Sequence, residues 1–206
     1  MPYSNFKKMQ QVVTKFGLSI QRHELFGANI APVEPSQVLL AVLERGKKIG
    51  FTSEKERSER LVSPVLTEVV ELNNYQITLY SGHDLEVDAE NGLKGECDYL
   101  MSLGSKALEV IEAPIFSVVE AKKEDMEYGT AQSIAQSIGI QRFNAQRGIF
   151  FPYTYGCATD GLQWRFFKLT DKIVHLDTKT YLLSELSQIL GIFLFIFEDC
   201  KHFEPN

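Results

Sequence analysis

Apolar residues recur at Phe6, Met9, Val12, Val13 and Phe16, the spacing of a helix with one buried stripe, and Gly17 supplies its stop. Residues 27–35 hold two prolines and a glycine, which predicts a loop. Ser36 then has the side chain to cap a second helix with Val38, Leu39, Val42 and Leu43 inward and Gly46 and Gly50 at its end. This opening predicts a helical N-terminal appendage, residues 1–51, ahead of a main domain, 52–206. Ser53 and Glu56 have the spacing of a capping box, and Leu61, Val62, Val65, Leu66, Val69 and Leu72 give the helix behind it an apolar face, with a bend expected at Pro64. Beyond residue 74 the period becomes two. Tyr75, Ile77 and Leu79 alternate with polar neighbours, and Ser81-Gly82 predicts a turn. Leu85 and Val87 extend the chain to a hairpin at Asn91-Gly92, and 95–103 reads as the next strand.

Ile115–Ala121 is different, because its apolar character is continuous. A strand covered on both faces has that pattern, so it is expected at the centre of a sheet. A charged loop, 123–127, leads to a helix over 128–144 with Ile134 and Ile138 inward. A hairpin follows, 155–159 and 164–169 about the Asp160-Gly161 turn, then a strand over 173–176 and a closing helix over 182–197. The expected class is α/β, a mixed sheet flanked by helices.

Composition narrows the function. With 44% hydrophobic and 23% charged residues the chain can bury a real core. Its 21 basic against 27 acidic residues, a net charge of -6, remove the broad basic surface of a protein held on nucleic acid by phosphates. Any such contact must be a local groove, for which Lys122, Lys123, Arg142 and Arg147 are the basic candidates. Cys97, Cys157 and Cys200 lack the spacing of a zinc or redox motif and read as reduced packing residues. His23, His83, His175 and His202 are too scattered for a metal set, and there is no phosphate loop, HExxH or GxSxG. The N-terminus has no apolar signal region, and 192–197 is far shorter than a membrane span, so a cytoplasmic protein without membrane contact is expected.

The chemistry concentrates in Glu96-Cys97-Asp98 on one strand and Glu120-Ala121-Lys122 at the end of the next. Side chains two apart on a strand share a face, so Glu120 and Lys122 project together, and Asp98 can join them from an adjacent strand. Two carboxylates with open positions suit Mg²⁺, which keeps several of its waters, and the lysine can hold or activate a water. Alone, an ExK triplet is a common solvated pattern. Its place at the end of a buried strand is what singles it out, because a carboxylate there is costly unless a cation matches it.

Asp98, the run Val118-Val119-Glu120-Ala121-Lys122-Lys123 and the following helix with Gln132 and Gln136 resemble the PD-(D/E)xK nuclease superfamily. The likeness covers about residues 52–145 and is nearest to the nuclease domain of type I restriction enzymes. Cys97 stands in place of the motif's proline, and Ile140 in place of the type I tyrosine. The segments beginning at Ser53, Gly95 and Glu120 also resemble those of a group of stand-alone proteins. The resemblance implies a restriction-endonuclease-like αβββαβ core and Mg²⁺ or Mn²⁺ held by Asp98, Glu120 and the Ala121 carbonyl. It further implies Lys122 at the attacking water, with a helix acid and a helical glutamine beside them. For the acid, Glu54 falls inside the apolar arc of its helix and is preferred to Glu59 at the edge. Gln136 and Gln132, one turn apart, both remain open, with Gln136 carried as the site residue. The expected activity is Mg²⁺-dependent phosphodiester hydrolysis, of DNA before RNA. The alternative is a catalytically inactive nuclease fold kept as a binding or assembly module, forming a homodimer or docking a protein partner through its N-terminal helices.

Overall fold

The computed structural model describes residues 2–27, 30–104, 110–122 and 125–202. Helix α1 (Met9–Phe16) ends at Gly17 in the left-handed conformation and is followed by strand β1 (Ser19–His23). Helix α2 (Gln37–Ile49) is capped by the Ser36 hydroxyl, which accepts from the Leu39 N–H. Helix α3 (Glu54–Arg57) opens with the expected box, in which Ser53 and Glu56 accept from each other's backbone N–H. One π-helical turn, Ser58–Val62, joins it to α4 (Ser63–Leu72), where Pro64 sits in the first turn.

Strands β2 (Ile77–Asp84), β3 (Glu96–Leu103) and β4 (Ile115–Ala121) form an antiparallel meander. Helix α5 (Met126–Ala145), capped by Asp125, crosses over to β5 (Tyr153–Thr159), which lies parallel to β4. Strands β6 (Gln163–Thr170) and β7 (Ile173–Asp177), the two-residue β8 (Tyr181–Leu182) and α6 (Leu186–Lys201) complete the chain. The result is one eight-stranded mixed sheet of order β1-β7-β6-β5-β4-β3-β2, with β8 paired to β6. The molecule is α/β, with helices on both faces.

Alternate side chains of each central strand serve two cores. Tyr99 and Met101 of β3 pack with α2, α4 and α6, whereas Leu100 packs with α1 and α5. Strand β4 lies between β3 and β5 with all seven residues buried, as its continuous apolar run predicts. Its start is pinned by buried Asn144 of α5, whose side chain accepts from the Ile115 N–H and donates to the Ile115 carbonyl.

Several expectations give way. No turn forms at Ser81-Gly82, because β2 runs on to Asp84 and only Gly82, at φ +65, interrupts the pairing with β3. Tyr75 precedes the strand and is exposed. On α2 the inward face is Leu39, Leu43 and Gly46, and Val38 is 72% exposed with Val42 at 38%. Gly46 is inside the helix because it packs on the Arg60 backbone, where a Cβ would meet the Arg60 carbonyl at 2.9 Å. The closing helix starts at Leu186, after β8 and a 3-10 turn. Strand β1 carried no periodic signal, since all five of its residues are exposed. The three cysteines are buried free thiols. Among the described residues no helix is long and apolar enough to cross a membrane.

Candidate active site

The register Tyr99↔Val119 between β3 and β4 brings Asp98 next to Glu120, at the mouth of the sheet. Beyond β4 the chain stays extended for one more residue, since the Lys122 N–H donates to the Thr159 carbonyl at 2.7 Å. Glu120 and Lys122 therefore share a face, and the Lys122 Nζ lies 2.7 Å from Glu120 Oε1, 3.1 Å from Glu54 Oε1 and 3.8 Å from Asp98 Oδ2. Each carboxylate has its own anchor. Asp98 Oδ2 accepts from the Ala121 N–H at 2.8 Å, and Glu120 Oε2 accepts from Gln136 Nε2 at 2.7 Å.

Of the two helix acids, Glu54 reaches this cluster and Glu59 does not. The π turn breaks the constant step on which a helical wheel depends, and it places Glu59 on the outer cleft, facing Lys55 at 3.9 Å. Of the two glutamines, Gln136 is wholly buried against Glu120, and Gln132 lies one turn before it with a buried Oε1 that has no hydrogen-bond partner. Lys123 lies outside the described residues. Arg142 and Arg147, towards and beyond the end of α5, are engaged elsewhere, Arg142 with Asp88 and Arg147 over the Phe143 ring.

Sequence reasoning missed the supports of Lys122. Helix α5 passes so close that a Cβ on Gly129 would lie 3.1 Å from Lys122 Cγ. The Tyr128 ring centre is 5.7 Å from Nζ, and its hydroxyl donates to the Ser4 carbonyl. A glycine inside a helical pattern is the one signal that pointed there. Two of the histidines also meet, His23 and His175 on neighbouring strands with ring centres 5.3 Å apart, away from this cluster.

Burial first, and then Asp98, pushes the Glu120 carboxyl up to about 8, against the pull of Lys122 and Gln136. Asp98 is likewise raised by burial, with Lys122 and the Ala121 N–H opposing. Burial works to lower Lys122, yet Glu120 and Asp98 outweigh it and hold the ammonium charged. A cleft of about 350 Å³ opens beside Asp98, lined by Glu54, Ser58, Glu59, Ser81, Glu96 and Tyr99 among others.

Neither the models of known protein families nor the curated proteins match this chain. Three carboxylates surround one ammonium, and burial leaves Glu120, beside Asp98, short of compensating positive charge. That donor set fits Mg²⁺ or Mn²⁺. An ion there would be held by Asp98 and Glu120 and would keep several of its waters.

Proposed function

We propose that the chain is a Mg²⁺-dependent nuclease of the PD-(D/E)xK type that hydrolyses phosphodiester bonds, with DNA as its substrate. The observation that carries this reading is the convergence of Asp98, Glu120 and Lys122 at one strand end, with Gln136 behind them and a cleft in front. The element order supports it: helix, three antiparallel strands, helix, and a strand parallel to the third are what a restriction-endonuclease-like core requires.

Asp98 and Glu120 would hold the cation, with the Ala121 carbonyl beside them. A bound Mg²⁺ supplies positive charge against the charge developing on the phosphate and makes an attacking water more acidic. The chain does the rest. Gln136 orients the Glu120 carboxylate from behind, and the Ala121 N–H holds Asp98 in place beside the cleft. Lys122 keeps a charged ammonium where a phosphate oxygen or water would lie. Its stem packs against α5, which confines the charge to the neighbourhood of the three carboxylates.

A second reading, the inactive binding or assembly module, is favoured by the rim. Among the described residues the cleft is lined by Glu54, Glu59, Glu96 and Asp98 with Lys55 as the one base, a poor surface for a phosphate backbone. Labelled single- and double-stranded DNA and RNA, incubated with pure protein in Mg²⁺, Mn²⁺ or EDTA, separate the two. The nuclease reading expects cation-dependent cleavage, of DNA most readily, and the module reading expects none on any substrate.

A further inference from the structure

Resting on the proposed cation site, we infer that Glu54 is an alternative berth for the Lys122 ammonium and not a ligand of the metal. In the structure as it stands Lys122 occupies the ground between all three carboxylates and sits closest to Glu120 Oε1, the oxygen a cation would need. A divalent ion and an ammonium on one buried oxygen repel each other strongly, so one must leave. Lysine has a route. Its Cβ and Cγ are held against Gly129, which leaves only the end of the chain free to swing. Glu54 Oε1 already lies 3.1 Å from Nζ, with the Tyr128 ring centre 5.7 Å away.

The three acids also differ as a berth and a pair of ligands should. The Glu120 side chain is 1% exposed and Asp98 28%, whereas Glu54 is 46% exposed on the rim, where an ammonium can be received without losing its water. Glu54 stands at the start of a separate, capped helix whose first turn is fixed by Ser53 and Glu56, so the berth is stationary while the lysine moves. Cation binding then shifts Lys122 from Glu120 to Glu54. Glu54 assists binding only through the lysine, which makes it a positioning residue.

The test is a double-mutant cycle read by calorimetry with Mn²⁺, on wild type, Glu54→Gln, Lys122→Met and the double variant. Glu54→Gln is expected to weaken Mn²⁺ binding by about tenfold and Lys122→Met to tighten it by a similar factor, the scale of one such coupling. In the Lys122→Met background Glu54→Gln should change nothing. An equal loss on Glu54→Gln in both backgrounds would make Glu54 a ligand and overturn the inference, as would weaker binding by Lys122→Met. No Mn²⁺ binding by wild type would instead remove the cation site itself, and the berth with it. Should Lys122→Met not fold, the Lys122 side-chain NMR signals of wild type and Glu54→Gln give the same answer. Mg²⁺ is expected to shift them in wild type and to leave a different end point in Glu54→Gln. Signals that ignore Mg²⁺ in a wild type that binds it would contradict the berth.

Discussion

Glu120 shows how one residue ties stability to the site. Its proton affinity is raised from the ordinary 4.5 to about 8 by burial and by Asp98, so between those values the folded state holds a proton that the unfolded chain has released. The stabilisation is complete below about pH 4.5 and is lost as pH rises through about 8, with a slope of at most about 1.4 kcal/mol per pH unit. In chelator, the melting temperature should therefore fall from pH 5 to pH 8, and Glu120→Gln should flatten that fall. Asp98, also raised by burial, acts in the same sense, and His175, lowered by burial and by His23, opposes it, so the Glu120 part is the difference between wild type and Glu120→Gln. An unaltered pH slope in Glu120→Gln would remove the raised carboxyl from the account. Gln136→Ala leaves Glu120 Oε2 buried without its donor, for a loss of about 1–3 kcal/mol on urea unfolding. The pairing of Glu120 with Lys122 was legible from strand spacing, whereas Asp98 joined them only on the condition, met by the β3–β4 register, that its strand is adjacent. The choice of Glu54 over Glu59 was less legible, since a π turn leaves no mark in a helical wheel.

Among the elements, β4 was read to the residue because a doubly covered strand writes itself as an unbroken apolar run. Strand β1 was invisible for the opposite reason: it is an edge strand, exposed along its length, and only pairing with β7 makes it a strand. At Ser81-Gly82 a turn-forming dipeptide sits inside a strand that tertiary pairing keeps extended. Two glycines should separate site from scaffold. On α5, Gly129→Ala gains up to about 1 kcal/mol of helix preference yet pushes on Lys122 Cγ, so melting should hold or rise while the cleavage rate falls by ~10–10². On β5, Gly156→Ala would place a Cβ 2.1 Å from Phe167 Cζ, and the overpacking should cost about 1–3 kcal/mol, read as a lower urea midpoint. Equal stability losses in the two variants would show that Gly129 serves packing alone.

For the whole molecule, the sheet explains why the site lies where it does. Strand β3 begins where its antiparallel neighbour β4 ends, α5 covers Glu120 there, and the start of α3 brings Glu54 to Lys122, so four elements deliver one charge cluster. Class and helix–strand alternation were legible because they follow from periodicity. The sheet order was not, nor was the way α1 packs on α5 and β1 joins β7, because contacts between distant segments leave no local pattern. The central claim is that this cluster cleaves phosphodiester bonds with a divalent cation, and it is tested most directly by cleavage of end-labelled DNA in Mg²⁺ by wild type and by Asp98→Asn. Asp98→Asn keeps the shape of the side chain and removes one of two carboxylates, so wild-type cleavage should require Mg²⁺ and fall by at least ~10² in the variant at an unchanged melting temperature. Cleavage that survives either EDTA or Asp98→Asn at full rate would contradict the account.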